Sequence, residues 1–102
     1  MNKTEILVVG RHEQILETVV RLINNNPEWH GVGALTNAEA IQLFNHEVFD
    51  LVLLSSGIDK TEENDLRAYF IDHRPNTLIV QHYGGGSGLL TAEIYEALKN
   101  KQ

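Results

Sequence analysis

The sequence predicts a three-layer, doubly wound α/β fold, in which helices cover both faces of a parallel sheet. Short apolar runs alternate along the chain with segments whose apolar residues recur at helical spacing, and this alternation is typical of successive βα units. One of these runs, Phe49–Leu54, ends abruptly in Ser55, Ser56 and Gly57. A short apolar run bounded by turn-forming residues indicates a strand that is buried on both faces.

Length and composition favour a single α/β domain over residues 1–102. The chain has 102 residues, of which 42% are hydrophobic, enough for one packed core and too many for a disordered tail. The formal net charge of −6 argues against general attraction to nucleic acid or to an anionic membrane. The chain contains no cysteine, which excludes disulfides, thiol catalysis and thiolate metal sites.

Nothing in the sequence indicates a targeting or membrane segment. Met1–Glu5 leads directly into a strand-like run, without the apolar core of a signal peptide. No apolar run approaches the ~20 residues that a membrane span needs. We therefore expect a soluble, cytoplasmic domain.

The first half of the chain is predicted to contain two βα units. The β-branched apolar residues 5–10 predict the first strand, and the helical periodicity from about residue 12 to residue 25 predicts a helix that ends before Pro27. Residues 30–35 predict a weaker second strand, because two glycines interrupt it. Thr36–Glu39 has the spacing of a capping box and marks the start of the second helix.

The second half is predicted to contain two further units, beginning with the strand Phe49–Leu54. Thr61 is the predicted N-cap of the third helix, which ends before Pro75. Residues 77–82 predict the fourth strand, residues 83–88 a flexible glycine-rich turn, and residues from about 91 to 100 the last helix. The first, third and fourth strands are the most apolar, so we expect a flavodoxin-like strand order, 2-1-3-4, with the second strand at an edge.

A sheet of this order predicts one candidate site. Ligands of doubly wound sheets bind beyond the carboxyl ends of the strands, where the strand order reverses between strands 1 and 3. The residues expected there are Arg11, His12, Ser55, Ser56 and His82. A guanidinium beside two hydroxyls, near the amides of glycine-rich residues 84–88, suits a small anion. One predicted function is therefore a small-ligand or anion-binding module, although the glycines are also explained by a simple connector.

Two other chemistries fit the sequence less well. His12, His30 and His82 lack the spacing of a metal site and have no nearby acid to complete one. Ser55 and His82 resemble a nucleophile and its base, but the elbow motif of hydrolases and an obvious orienting acid are both missing. Strand-end serine and histidine side chains also commonly satisfy backbone groups in loops. We therefore predict no catalytic residue, no metal and no cofactor.

The apolar framework resembles that of response regulator receiver domains. The similar segments are the first strand, the start of the second helix and the third strand: Ile6–Val9, Asn37–Ile41 and Phe49–Leu54. The likeness extends over roughly residues 5–82. It implies a flavodoxin-like fold and a role in signal transduction.

The resemblance also implies positions for the functional residues of that family, and this chain departs from the family at each of them. Receivers carry a pair of acids after the first strand to hold Mg²⁺, where this chain has Gly10 and Arg11. Their phosphate-accepting aspartate ends the third strand, where this chain has Ser55. His82 is the nearest match to the hydroxyl residue that ends the fourth strand, and the later lysine–proline pair has no counterpart. The resemblance thus implies a pseudo-receiver, which regulates through protein contacts without aspartyl phosphorylation.

The resemblance further predicts an exposed sheet edge. Too few residues follow His82 for the helix, strand and final helix that complete a receiver, since one parallel crossover takes about a dozen residues. We expect four βα units, with the fifth strand unit missing. The edge of strand 4 then lacks its usual neighbour, and an uncovered apolar edge invites pairing with another chain. The candidate interface residues are Leu78, Ile79, Val80 and Tyr83, for a protein partner or for a second copy in a homodimer.

Overall fold

Strands and helices alternate along the chain in the order that the sequence predicts. The computed structural model describes residues 3–55, 57–82 and 87–99. Ser56, Tyr83 and residues 84–86, which belong to the predicted site, edge and glycine-rich turn, lie outside the described residues. The elements are β1 (Thr4–Val9), α1 (Glu13–Asn24), β2 (Trp29–Ala34), α2 (Asn37–His46), β3 (Leu51–Leu54), α3 (Lys60–His73), β4 (Leu78–Gln81) and α4 (Ser87–Lys99).

The four strands form one parallel sheet in the order β2-β1-β3-β4. This arrangement confirms the predicted fold class and strand order. The register aligns Val9 with Ala34 and with Leu54, and Leu54 with Gln81. All four strands therefore end at one level, which we call the carboxyl end of the sheet.

The core consists of two apolar layers, one on each face of the sheet. Successive strand residues point to opposite faces, so Ile6 and Val8 pack with α1 and α4, whereas Leu7 and Val9 pack with α2 and α3. All residues of β3 are buried, which confirms the prediction of a strand covered on both faces. None of the described helices is long and apolar enough to span a membrane.

The glycines of β2 allow helix α1 to lie close against the strand. A Cβ atom on Gly31 would lie 2.9 Å from Cγ2 of Ile23, and one on Gly33 would lie 3.1 Å from Cγ of Leu16. From the sequence alone, these two glycines predict a weak strand. The prediction that β2 lies at an edge is confirmed, and the glycines are explained by close packing against α1.

The start of α2 agrees with the predicted capping box, whereas the start of α3 does not agree with the predicted cap. The amide nitrogen of Glu39 donates to Oγ1 of Thr36 at 3.1 Å. In α3, Asp59 is the N-cap and its Oδ1 accepts from the amide nitrogen of Glu62 at 2.8 Å. Thr61 already lies in the first turn, so its prediction as N-cap was wrong: the Asp59 carboxylate is better suited to accept from the free amides.

The last helix begins earlier than predicted. It starts at Ser87 instead of Thr91 and therefore includes two residues that were assigned to the glycine-rich turn. Leu90 and Ile94 are both buried, in the layer that α4 shares with α1. Packing of an apolar helical face stabilises a helix more than local propensity does, which explains why a glycine at position 88 does not delay the helix start.

Candidate functional site

The structure brings four of the five predicted site residues to the carboxyl end of the sheet. The amide nitrogen of Ser55 donates to Val9 O at 2.7 Å, and that of His82 donates to Leu54 O at 2.8 Å. Both residues therefore continue the hydrogen-bond ladder by one step past their strands. Arg11 follows β1 at the same end, and His12 is the N-cap residue of α1.

The guanidinium of Arg11 is engaged by other parts of the chain. Its Nη1 donates to Leu35 O at 3.0 Å, and its Nη2 donates to Oδ1 of Asn37. The same Nη2 lies 3.4 Å from Oε1 of Glu62. Arg11 thus ties the end of β1 to the starts of α2 and α3, and both of its Nη atoms are engaged by these contacts.

Gly57 brings the loop after β3 against the loop after β1. Its φ angle is 92°, a left-handed backbone conformation that residues other than glycine rarely adopt. A Cβ atom at this position would lie 2.8 Å from Cβ of Arg11 and 3.2 Å from Cδ2 of His12. From the sequence, Gly57 is assigned only as the residue that ends the polar run after β3. A glycine at this place, next to the predicted site, could also have indicated a close contact between loops.

Ser55 lies at the middle of the carboxyl end of the sheet, but it is not accessible to solvent. The residue is only 2% exposed, and its Oγ has no hydrogen-bond partner among the residues that the structure describes. Buried hydroxyls are usually paired, because leaving one unpaired costs about 1–3 kcal/mol. The hydroxyl therefore stands in a confined position at the end of β3.

His82 contacts Glu93, an acid on α4 that was not among the predicted site residues. The imidazole is buried, and its Nδ1 lies 2.5 Å from Oε1 of Glu93 on α4. No local spacing links these two residues, since only the packing of α4 on the sheet brings them together. Ser55, His82 and Glu93 have the residue types of a nucleophile, a base and an orienting acid. The Ser55 Oγ, however, makes no hydrogen bond to His82 and lacks solvent access.

The histidines considered for a metal site do not converge. His30 pairs with Glu5 in the sheet register, and its Nδ1 lies 2.7 Å from Oε1 of that residue. This contact is near the amino end of the sheet, whereas His82 is at the carboxyl end. Within residues 3–55, 57–82 and 87–99, no group of three or more histidine, cysteine or acidic side chains is arranged to hold a metal ion.

Strand β4 is the outermost strand next to β3 in the described sheet. Its four residues are all half-buried. The amide nitrogens of Leu78 and His82 donate to carbonyls on the β3 side, Asp50 O at 3.2 Å and Leu54 O at 2.8 Å. Because backbone groups alternate in direction along a strand, those of Ile79 and Gln81 point to the outer edge.

Side chains of α3 and α4 flank this edge on the two faces of the sheet. With its side-chain amide oriented so that Nε2 faces α3, Gln81 donates from Nε2 to the two carboxylate oxygens of Glu63, at 3.0 and 2.8 Å. Glu63 also accepts from Nε of Arg67 at 2.8 Å. Each of these helices carries an apolar side chain that is about half exposed, Ile71 on α3 at 50% and Leu89 on α4 at 54%. The predicted edge residue Tyr83 lies outside the described residues.

Comparison with known sequences and comparison with solved structures give different results. No family model matches the chain, and no curated protein matches it. Solved structures do match over nearly the full length of the chain. They include the signal receiver domain of an HD domain-containing protein from Pseudomonas fluorescens, with a TM-score of 0.84, 19% sequence identity and coverage of 98% of each chain.

Two further structures show the same relationship. A CheY-like response regulator receiver domain protein from Methanospirillum hungatei has a TM-score of 0.82 and 18% identity, over 98% of this chain and 97% of that one. A response regulator receiver domain protein from Clostridium thermocellum has a TM-score of 0.78 and 15% identity, over 96% of each chain. At these identities the similarity concerns the fold. The chain has the fold of a response regulator receiver domain.

Proposed function

We propose that this chain is a receiver-like regulatory domain that acts through protein contacts and does not use aspartyl phosphorylation. The observation that carries the proposal is Ser55, a buried hydroxyl at the end of β3. The resemblance to receivers implies a phosphate-accepting aspartate at this place. A serine hydroxyl is a weak nucleophile unless a base activates it, and the Ser55 Oγ has no hydrogen-bond partner among the described residues.

The surroundings of Ser55 also support this proposal. Arg11 follows β1, where the resemblance implies acids that hold Mg²⁺. Mg²⁺ takes oxygen ligands, commonly carboxylates, and a fixed guanidinium at this place repels a cation. Glu62 is the acid in contact with Arg11, and the ion pair between them, at 3.4 Å, commits that carboxylate to a structural role.

Protein contact is the proposed mode of action because, among the described residues, side chains fill the carboxyl-end cleft while no strand covers the outer edge of β4. The loops of Arg11 and Gly57 pack against each other at the cleft. At the edge of β4, the backbone groups of Ile79 and Gln81 point outward, and the flanking helices α3 and α4 carry half-exposed apolar side chains. Edges of this kind pair readily with other chains.

The alternative function is binding of a small anion by Arg11, His12, Ser55, Ser56 and His82. It is less well supported, because the Arg11 guanidinium already donates to Leu35 O and to Asn37. Hydrolase activity is also less well supported than regulation, because Ser55 lacks both a hydrogen bond to a base and solvent access.

The proposal is tested by treating the protein with a small phosphodonor, such as acetyl phosphate, in the presence of Mg²⁺. We expect the intact mass to remain that of the unmodified chain. A stable, stoichiometric phosphoryl adduct would overturn the proposal. Ser55→Ala and His82→Gln are the matched variants: loss of an adduct in one of them would identify the residue that accepts the phosphoryl group.

A further inference from the structure

We infer that the outer edge of β4 pairs antiparallel with β4 of a second copy of this chain, so that the two sheets become one continuous sheet. The inference rests on the proposed function, since it names the partner of the same edge. Three features of the molecule support it: the difference between the two edges of the sheet, the register that the outward backbone groups allow, and the low charge along the strand.

The two edges of the sheet are not equally available. At the β2 edge, the Asn24 side chain takes the place of a partner strand. Its Oδ1 accepts from the amide nitrogen of Gly31 at 2.7 Å, and its Nδ2 donates to Gly31 O at 3.2 Å. Side-chain blocking of this kind protects an edge from pairing. Among the described residues, no side chain makes such a two-point contact with the backbone at the outer edge of β4.

The backbone of β4 is self-complementary in one antiparallel register. Ile79 and Gln81 point their N–H and C=O groups outward, and Val80 between them points inward. Antiparallel strands alternate pairs that exchange two hydrogen bonds with pairs that exchange none. A two-fold axis at Val80 places Ile79 of each copy opposite Gln81 of the other. In this register both outward residues of both copies are paired, as an isologous interface requires.

The side chains around the edge are compatible with a second copy. Residues 77–82 contain no acidic or basic side chain other than His82, so like charges do not face each other at the strand although each chain carries a net charge of −6. The nearby charges of Glu63 and Arg67 form an ion pair at 2.8 Å within one copy. Because these two charges offset each other, they add little repulsion between two copies at the edge.

The half-exposed apolar side chains lie on the helix stripes next to this edge. Ile71 follows Glu63 and Arg67 at intervals of four residues, and side chains at this spacing share one helix face. On α4, Leu89 precedes Glu93 by four residues and shares a helix face with it. Glu93 in turn contacts His82. A second copy joined at β4 would cover both side chains, which otherwise remain in water.

Cysteine cross-linking tests this register directly, because the chain has no native cysteine. In the proposed dimer, Val80 lies opposite itself in a pair without hydrogen bonds, with the two Cα atoms about 4.5 Å apart, within the range of a disulfide. We expect Val80→Cys to form a disulfide-linked dimer under mild oxidation. Ile79→Cys is the matched control, because it faces Gln81 of the other copy and not itself. Val48→Cys, at a residue that is 68% exposed, measures random collision.

Analytical ultracentrifugation of the wild-type chain provides a second measurement. We expect reversible dimerisation at micromolar concentration, weakened about tenfold or more by Ile79→Pro. This proline removes an outward N–H, and edge strands tolerate proline at such positions. Circular dichroism establishes whether the variant is folded. If it is not, Gln81→Lys places a charge at the edge and is expected to weaken dimerisation in the same way.

The inference is overturned if Val80→Cys cross-links no faster than Val48→Cys, or if Ile79→Cys cross-links faster than Val80→Cys. A wild-type chain that stays monomeric at high micromolar concentration would overturn it as well. Neither result affects the phosphodonor experiment, so failure of the dimer is distinguishable from failure of the proposed function.

Discussion

The contact between Gly57 and Arg11 shows how single residues determine the shape of the carboxyl-end cleft. The backbone of Gly57 approaches the Arg11 side chain so closely that a methyl group would not fit between them without movement. The guanidinium is then directed to Leu35 O and Asn37. Arg11 therefore holds the loops at this end of the sheet together.

Gly57→Ala is expected to lower the free energy of unfolding by about 1–3 kcal/mol, because alanine disfavours a φ angle of 92° and adds an atom 2.8 Å from Cβ of Arg11. Urea denaturation measures the change. Gly57→Asn is the control, because asparagine tolerates positive φ better but adds the same Cβ atom. Unchanged stability of Gly57→Ala would contradict the close packing of the two loops.

The helix starts show how local chemistry and packing compete within an element. At α2 the Thr36 hydroxyl caps the helix as its spacing predicts. At α3 two candidate N-caps, Asp59 and Thr61, lie two residues apart. The N-cap is Asp59, and not Thr61 as the sequence predicts. At α4 the buried side chains of Leu90 and Ile94 extend the helix to Ser87, beyond the start that periodicity indicates.

Asp59→Ala is expected to destabilise the domain by about 1 kcal/mol, because it removes the acceptor for the Glu62 amide and a negative charge at the helix N-terminus. Thr61→Ala is the matched control and is expected to leave stability nearly unchanged. Thermal or urea denaturation of both variants decides between the two caps. A larger loss for Thr61→Ala would restore Thr61 as the N-cap.

At the level of the whole molecule, α4 completes the layer on the α1 face and reaches both ends of the sheet. At its middle, Glu93 contacts His82 at the carboxyl end of β4. Further along, Tyr95 packs on Trp29 with ring centroids 4.9 Å apart, and its hydroxyl accepts from Asn26 at 3.0 Å. These polar and aromatic contacts determine where the helix lies, in addition to the apolar contacts of Leu90 and Ile94.

Glu93→Ala is expected to destabilise the domain by about 1–3 kcal/mol, because it leaves the buried His82 imidazole without its partner. Glu96→Ala, in the same helix but exposed, is the control and is expected to have little effect. The single tryptophan is Trp29, so its fluorescence during denaturation reports the docking of α4. Equal stability of the two variants would show that the His82 contact does not hold this helix.

The sequence by itself determined the fold class, the strand order and the end of the sheet where Arg11, Ser55 and His82 meet. These features depend on apolar periodicity and on the geometry of parallel βα units, both of which are local or general. Only the tertiary structure decided that Arg11 is engaged by α2 and α3, that Glu93 reaches His82, and that Asn24 blocks one edge of the sheet. These contacts join residues that no spacing links, because they arise from how closely helices and loops pack once the sheet has formed.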